Sequence, residues 1–333
     1  MLEANRQLGR TSLRVSALGL GLAALGRPGY INLGHAADLG HDYDVAAMQA
    51  RAHAVLDAAW RAGVRYFDVA RSYGRAEAFL GSWLRARQVA PGTVAIGSKW
   101  GYTYTAGWQI DAVAHEVKDH TLPVLERQWH ESQANLGGYL GLYQIHSATL
   151  ESGVLTNAPV CAELARLKRA GLAIGLSLSG VAQAATLDRA LDTRVDGVRL
   201  FDCVQATWNL LERSAGPALE RVHAAGMGVI VKEALANGRL TARNVDPAFS
   251  AQRTLLERHA ARLGCRLDAL ALAAALAQPW ASVVLSGATS AEQLASNLRA
   301  AEVAWDAEAA AELAGLAEPP AQYWATRARL PWN

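Results

Sequence analysis

Residues 63–77 read GVRYFDVARSYGRAE, and this stretch contains the repeating unit on which the rest of the chain is built. A short apolar strand is predicted over 65–68 and ends at Asp68, a polar loop with Gly74 follows, and a helix is predicted from residue 76. Residues 46–62, just before it, have the apolar spacing of an amphipathic helix. The stretch is therefore one strand-loop-helix unit in a chain of alternating helices and strands.

The same unit recurs along the sequence without a low-complexity linker to divide it. Strands are predicted over 16–20, 65–68, 93–98, 140–146, 173–178, 203–207, 228–232 and 282–286. Helices are predicted over 46–62, 76–87, 112–136, 159–170, 182–191, 216–225 and 251–278, the last with a break near Gly264. Parallel strands joined by crossover helices form α/β folds, and this number of strands closes a (β/α)8 TIM barrel. We expect a single barrel domain over 1–333.

Three segments lie outside this repeat. LGRTSLRVS, residues 8–16, is predicted to form an N-terminal β-hairpin that caps the barrel floor. The long loop 26–45 follows the first strand, and so would overhang the carboxyl ends of the strands, where barrel enzymes bind substrates. An extra C-terminal helix is predicted over 307–316, and the tail 319–333 carries Tyr323, Trp324 and Trp332. These apolar rings are expected to dock either over the pocket or on a partner subunit.

Composition excludes several classes of protein. The apolar fraction of 51% supports a large core, yet no run of about 18 uncharged apolar residues suggests a membrane span. The net charge of +2 is spread along the chain, which argues against a nucleic-acid partner. The N-terminus lacks the pattern of an export signal, so a cytoplasmic location is expected. Three distant cysteines suggest neither disulfides nor a metal site.

Four titratable residues fall at the ends of successive predicted strands. Asp68 ends the second strand and Tyr73 follows it in the loop, while Lys99 ends the third strand and His146 the fourth. Each alone has an ordinary structural explanation: a helix cap, a core edge, a solvated strand end or a satisfied histidine. Together at one end of a barrel they are costly to bury unless they pair with one another. We therefore interpret them as one site.

Such a set suits carbonyl reduction and its reverse. Tyr73 would donate the proton, with its pKa lowered by the ammonium of Lys99. Asp68 would hold Lys99 in place, and His146 would hydrogen-bond the substrate oxygen. None of these groups supplies a hydride, so the chemistry requires a nicotinamide cofactor.

These residues resemble the aldo-keto reductase family, and the likeness extends over nearly the whole chain. The family pattern G-x-R-x-x-D-x-A-x-x-Y-G-x-x-E is matched by Gly63, Arg65, Asp68, Ala70, Tyr73, Gly74 and Glu77. The resemblance implies a barrel that binds an extended NAD(P)(H) without a Rossmann domain. It also implies that Asp68, Tyr73, Lys99 and His146 form the catalytic tetrad.

The resemblance also assigns cofactor-binding residues: Gly21, Ser177, Gln205, Lys232, Leu235, Asn237, Gly238, Gly287, Ser290, Gln293 and Asn297. Two positions depart from the family. Leu178 replaces the Asn that usually grips the carboxamide, and Lys232-Glu233 replaces the usual aromatic-Ser pair. A basic residue common in NADP-preferring relatives is absent from the loop after the last strand, although Arg239 or Arg243 could substitute for it. We expect NADP(H) to be preferred over NAD(H).

The substrate is predicted only as a class: an aldehyde or ketone, or an aldose, interconverted with an alcohol or lactone. Trp100, Tyr102 and Trp108 follow Lys99 and are candidates for an aromatic pocket wall, although simple loop anchoring explains them equally well. An oligomer is compatible with the sequence.

Two other functions remain as alternatives. A cofactor-sensing regulatory subunit with slow turnover would have the same barrel and tetrad, as the potassium-channel β subunits that resemble this family do. An isomerase or aldolase with Lys99 as a Schiff base is disfavoured, because the neighbouring Asp68 would raise the pKa of that lysine.

Overall fold

The computed structural model describes residues 6–333. The first five residues, which the sequence analysis included in the domain and in the segment lacking an export signal, lie outside the described part. Within residues 6–333, eight parallel strands close into a barrel. They are β1 (Leu18–Gly21), β2 (Tyr66–Asp68), β3 (Ala95–Trp100), β4 (Leu140–Ala148), β5 (Ala173–Leu178), β6 (Cys203–Thr207), β7 (Gly228–Lys232) and β8 (Val283–Ser286). Each strand pairs with the next in sequence, and β8 pairs with β1, so the predicted (β/α)8 barrel is confirmed.

Helices connect the strands on the outside of the barrel. They span Val45–Arg61, Ala76–Ala86, Leu122–Leu136, Ala158–Arg169, Gln183–Asp192 and Gly216–Ala224, followed by the pair Ser250–Arg262 and Leu267–Leu276. Ala291–Leu298, Ala307–Glu312 and Pro320–Ala328 come after β8, and His35–Asp38 is a short helix in the first long loop. The local sequence explains several starts: Asp44 Oδ1 accepts from the amides of Ala46 and Ala47, and Asn157 caps the helix that follows it. None of the helices in this part of the chain is both long and apolar enough to cross a bilayer.

The prediction of a helix over 112–136 is wrong for residues 112–121. The helix begins at Leu122, and Glu116–Lys118 instead pairs antiparallel with Tyr102–Tyr104 as a two-stranded ribbon. Pro123 explains the difference, because proline fits the first turn of a helix but clashes with the backbone one turn earlier. The ribbon lies at the carboxyl end of the barrel, where Glu116 lines the central cavity.

The opposite end of the barrel is closed by the N-terminal hairpin. Arg6–Gln7 pairs antiparallel with Arg14–Val15, so the hairpin strands begin slightly before the predicted segment. Leu8 and Val15 are fully buried against the inward side chains of the barrel floor, such as Tyr66 and Ile230. The hairpin thus seals the floor and leaves the carboxyl end as the open side.

The tail packs against the barrel as well. Tyr323 and Trp324 are buried in a cluster with Phe249 and Leu270, and Asn209 Nδ2 donates to the Tyr323 hydroxyl over 3.0 Å. Further along, the backbone of Asn333 exchanges two hydrogen bonds with that of Tyr30, at 3.1 and 3.3 Å. Of the two docking positions that the sequence left open, the tail in this structure occupies the one over the cavity.

Candidate active site

A cavity of about 850 Å³ opens at the carboxyl ends of the barrel strands. Strand ends contribute Gly21, Asp68, His146, Ser177, Gln205, Lys232 and Ser286 to its wall. The long loop, the ribbon, the segment after β7 and the tail build the rest. Because parallel strands present all their carboxyl ends on one side, residues far apart in sequence meet here.

Asp68 and Lys99 form a buried ion pair at the bottom of this cavity. Their side chains are 3% and 0% exposed, and the ammonium also donates to the Val69 carbonyl at 3.0 Å. Gln205 Nε2 donates to the other carboxylate oxygen at 2.7 Å, and the Tyr66 hydroxyl does so at 3.3 Å. Both carboxylate oxygens are therefore engaged, one by the ammonium and the other by Gln205 and Tyr66, and the pairing of Asp68 with Lys99 agrees with the sequence interpretation.

Tyr73 lies beside this pair. The Lys99 ammonium is 4.8 Å from the centroid of its ring, and the ring of His146 is 5.4 Å away in an edge-to-face arrangement. The loop reaches this position through a close backbone contact: a Cβ on Gly26 would lie 2.3 Å from the Tyr73 carbonyl. Glycine at residue 26 is thus required for the approach of the two loops. The four predicted residues are brought together at one end of the cavity.

The pKa of Tyr73 corrects one expectation. We expected the lysine to lower it, but burial and the nearby Asp68 carboxylate raise the pKa of Tyr73 well above 10.0, against an opposing effect of the Arg27 guanidinium. The Asp68 carboxylate, the immediate partner of Lys99, largely neutralises the charge of the ammonium. The phenol therefore keeps its proton throughout the neutral range.

His146 is held in its neutral form. Burial, followed by the positive charges of Lys99 and Arg27, lowers the pKa of His146 well below 6.5. Ser72 Oγ lies 3.3 Å from its Nδ1. With that nitrogen occupied by the hydroxyl, Nε2 is free to act as a donor toward a ligand.

Most of the predicted cofactor-binding residues line the same cavity: Gly21, Ser177, Gln205, Lys232, Leu235, Asn237, Gly238, Gly287, Gln293 and Asn297. Ser177 Oγ accepts from the amide of Ser147 at 2.8 Å, and Gln205 is turned toward Asp68. Leu178 is buried in the core, whereas Ser179, which the sequence analysis missed, reaches the cavity. Ser290 is not among the lining residues, because its hydroxyl caps the next helix by accepting from the Gln293 amide.

The unusual pair after β7 forms a charge cluster with the tail. Lys232 Nζ donates to Thr207 Oγ1 at 2.8 Å, and Arg327 donates to both carboxylate oxygens of Glu233 at 3.0 Å. Burial lowers the pKa of Lys232 to about 8. For Glu233, burial raises the pKa, but the charges of Arg327 and Lys232 outweigh it and bring the pKa to about 2. All three groups are therefore charged in most molecules at neutral pH.

The two arginines suggested for a cofactor phosphate are already paired with carboxylates. Arg239 is bound to Glu318, and Arg243 to Asp38. Arg266, missed by the sequence analysis, also lies in the cavity wall; its side chain is 76% exposed and its Nε is 3.6 Å from Asp268 Oδ1, a looser pairing than in the other two. Cys265 beside it is only partly buried and also lines the cavity, unlike the buried Cys161 and Cys203.

The expected aromatic wall needs correction. Tyr102 lines the cavity and packs edge-on against His146 at 4.9 Å. Trp100 does not reach the cavity, because it points into the core and is fully buried. Trp108 anchors a loop instead: its Nε1 donates to the Tyr43 carbonyl at 2.6 Å.

The wall next to Tyr73 consists mainly of residues that the sequence did not reveal. Arg27 and Tyr30 come from the long loop, Glu116 from the ribbon and Trp332 from the tail. Trp332 was among the rings expected to dock over the pocket or on a partner subunit, and the loop was expected to overhang the pocket, but no motif distinguished individual residues of the loop. Glu116 was hidden because its segment was interpreted as helical.

The fold and this cluster define a class: a (β/α)8-barrel protein with a buried Lys-Asp pair, a tyrosine and a neutral histidine at the carboxyl end of its strands. Comparison with known proteins gives the family. Residues 17–318 match the model of the aldo/keto reductase family, and the chain belongs to that family. Members of this family use NAD(P)(H) and act on small carbonyl compounds.

Individual relatives agree with this membership. L-Galactose dehydrogenase of Arabidopsis thaliana is 27% identical over 94% of each chain. Pyridoxal 4-dehydrogenase of Microbacterium luteolum is 33% identical over 40% of this chain and 39% of its own length. An aldo-keto reductase from Bacillus halodurans, solved in its holo form, has the same fold with a TM-score of 0.73 at 22% identity, covering 96% of this chain and 97% of that one.

The cavity fits a dinucleotide. Asn237 Oδ1 is buried on its wall without a hydrogen-bond partner among residues 6–333, and is therefore free to accept from a ligand. At Gly287 the backbone faces open space, so the main chain is accessible to a phosphate group that a side chain would displace. The volume lies in the range of small-molecule and cofactor sites.

Proposed function

We propose that this protein is an NAD(P)(H)-dependent oxidoreductase that interconverts aldehydes or ketones, including aldoses, with alcohols or lactones, and that Tyr73 is its general acid/base. The observation that carries the proposal is the buried Lys99–Asp68 pair beside Tyr73 and neutral His146, all at the bottom of one large cavity. The names of two relatives, a pyridoxal and an L-galactose dehydrogenase, support a reaction at an aldehyde or hemiacetal carbon.

Each residue has a separate role in the reduction. The Tyr73 hydroxyl donates its proton to the carbonyl oxygen, and His146 Nε2 donates a hydrogen bond to the same oxygen. Lys99 and Arg27 stabilise the phenolate left behind, since their charges lie 4.8 and 5.2 Å from the ring centroid. A bound nicotinamide cofactor supplies the hydride. Of the residues that line the cavity, Ser177, Gln205, Asn237 and Gly287 would hold this cofactor.

The pH dependence should differ between the two directions. Reduction needs the protonated phenol, and the raised pKa of Tyr73 preserves it, so kcat/KM for reduction should stay level across neutral pH. Oxidation needs Tyr73 as a base, so its kcat/KM should rise by about tenfold per pH unit from about pH 6 to about pH 9. No inflection from His146 is expected near 6.5, because its pKa lies well below that value.

Steady-state rates in both directions check this profile. The charged or titratable groups around Tyr73 are Arg27, Tyr30, Tyr66, Asp68, Lys99, Glu116, His146 and Glu233. The assignment of Tyr73 as the general acid/base would be contradicted if kcat/KM for oxidation did not change with pH while kcat/KM for reduction already fell at pH values below about 8. That result would mean that the phenol has a low pKa.

For the cofactor we favour NADP(H), with Arg266 as the phosphate-binding side chain. An arginine that meets the additional phosphate makes charge-assisted hydrogen bonds. Arg266→Ala should therefore raise the Kd of NADPH by about tenfold or more and change that of NADH by less than about twofold. Arg299→Ala is the matched control, an exposed arginine with an acidic neighbour outside the cavity wall. If the substitution weakened the binding of NADPH and NADH equally, Arg266 would have a general role in cofactor binding. If the unmodified protein bound NADH more tightly than NADPH, the proposed preference for NADP(H) would be reversed.

The first experiment measures nicotinamide absorbance with NADPH or NADH plus aldehydes, and with NADP+ or NAD+ plus aldoses. Turnover in either direction supports the oxidoreductase. Tight cofactor binding without turnover of any substrate would instead favour a cofactor-sensing regulatory subunit. A cytoplasmic location and an oligomeric state stay predictions.

A further inference from the structure

An ion pair whose carboxylate has no role in the proposed chemistry lies in the cavity next to Tyr73. Arg27 Nη1 is 2.9 Å from Glu116 Oε2, and the two side chains are 3% and 22% exposed. The same Nη1 donates to the Ser72 carbonyl at 2.9 Å. Arg27 comes from the loop after β1 and Glu116 from the ribbon after β3, so the pair joins two segments outside the barrel.

Neighbouring aromatic rings hold the pair in place, but some of its hydrogen-bonding atoms have no partner in the described part of the chain. The guanidinium carbon of Arg27 lies 5.5, 5.2 and 4.8 Å from the ring centroids of Tyr30, Tyr73 and Trp332. Its Nε is buried and has no hydrogen-bond partner within residues 6–333. In the same part of the chain, Glu116 uses only Oε2 in hydrogen bonds from other side chains, which leaves Oε1 available. The Arg27 guanidinium and Glu116 Oε1 are thus held side by side at the cavity wall.

Burying these charges has a cost that an apolar wall would avoid. Replacing a buried ion pair by apolar residues is often neutral or stabilising, so packing alone gives no reason for it. A wall that binds a ligand with polar groups does give one, because unpaired polar atoms strongly disfavour a ligand that lacks matching groups.

The pairing also specifies the charge of the ligand. Arg27 alone would attract a carboxylate, but Glu116 neutralises it and would repel that anion at short range. A hydroxyl group both donates and accepts, so neighbouring hydroxyls match a carboxylate oxygen and a guanidinium N–H at once. The wall is therefore complementary to a neutral, hydroxylated compound.

We propose that Arg27 and Glu116 are specificity-determining residues that bind hydroxyl groups next to the reacting carbon, and that the substrate is a neutral polyhydroxylated carbonyl compound or its cyclic hemiacetal. Apolar aldehydes offer no hydrogen-bonding groups to the unused polar atoms of this pair, and carboxylated aldehydes are repelled by Glu116. This inference rests on the proposed function, because it concerns the substrate of the same site.

Three aldehydes of equal chain length test the proposal: D-erythrose, butanal and succinic semialdehyde. In the unmodified protein, kcat/KM for erythrose should exceed that for each of the other two by about tenfold or more. Glu116→Gln leaves Arg27 with an unbalanced positive charge, so the ratio of erythrose to succinic semialdehyde should fall by about 30-fold. The ratio of erythrose to butanal should fall in the same variant.

Two further variants make the result specific. Glu116→Asp keeps the charge but withdraws it by one methylene. It should lower the erythrose to butanal ratio without improving succinic semialdehyde, and it provides a second test if the Gln variant does not fold. Glu131→Gln is the matched control, since Glu131 is a partly exposed glutamate paired with Arg71 outside the cavity wall. It should leave both ratios within about twofold.

The outcomes separate the two proposals. Two results would overturn the assignment of Arg27 and Glu116 and leave the proposed oxidoreductase function standing. One is a kcat/KM for butanal equal to that for erythrose, and the other is unchanged kcat/KM ratios in a folded Glu116→Gln variant. The proposed function, and this inference with it, would be overturned by a complete absence of turnover. That means no reduction of any of the three aldehydes with NADPH or NADH, and no oxidation of erythrose with NADP+ or NAD+.

Discussion

Tyr73→Phe should lower kcat by about 10³-fold while cofactor affinity changes by less than about twofold. The substitution removes only the hydroxyl, and a positioned acid or base contributes about 10²- to 10⁴-fold to such reactions. The ring still packs between His146 and the Arg27 guanidinium, so the shape of the cavity is preserved. Single-turnover rates and cofactor fluorescence titration measure the two quantities separately.

The matched control is Tyr139→Phe. The Tyr139 hydroxyl donates to the Val89 carbonyl at 2.8 Å, and the residue does not line the cavity. Loss of the Tyr139 hydroxyl should leave kcat within about twofold of that of the unmodified protein. If the Tyr73 variant kept more than about a tenth of the activity, another group would have to be the proton donor.

Lys99→Met should both inactivate and destabilise the protein. It leaves the Asp68 carboxylate buried without its cation, and removing one partner of a buried ion pair costs about 3–5 kcal/mol in the free energy of unfolding. Gln205 and Tyr66 still donate to the carboxylate, which favours the lower end of that range. We expect kcat to fall by at least about 10²-fold as well, because the phenolate loses its nearest cation. Urea unfolding and steady-state rates test the two effects.

Adding Asp68→Asn to Lys99→Met separates stability from catalysis. The double variant has no uncompensated charge at this position, so it should recover at least about half of the lost stability and remain inactive. Breaking an exposed pair by Arg166→Met, whose partner is Glu163, should cost less than about 1 kcal/mol. A double variant less stable than Lys99→Met would contradict the pairing of Asp68 and Lys99.

The barrel was predictable because its strands are short apolar runs at regular spacing. β5, β6 and β7 were predicted with the bounds that the structure has, and the ends of the others differ by a few residues. The boundary near Pro123 was missed because the amphipathic pattern continues across it, although the chemistry of proline does contain the signal. That residues 1–333 form one domain stays a prediction.

The candidate site was predictable where polar residues end apolar strands, as with Asp68, Lys99 and His146. It was not predictable where long-range packing selects one side chain from a polar loop, as with Arg27, or where the segment was interpreted as a helix, as with Glu116. The pKa of Tyr73 also escaped prediction, since it depends on burial and on how completely Asp68 engages Lys99. The spacing of residues along a chain carries no information on the burial of Tyr73 or on the contact between Asp68 and Lys99.

The wall around Arg27, Glu116 and Trp332 has a consequence for how such a protein diversifies. These residues come from three peripheral segments, while the Lys99–Asp68 pair belongs to the strands. Under the proposed assignment, substitutions of these side chains alter the ligand that is accepted and leave the Lys99–Asp68 pair in place. Gene duplication followed by drift in these segments alone would produce paralogues with new substrates and unchanged chemistry.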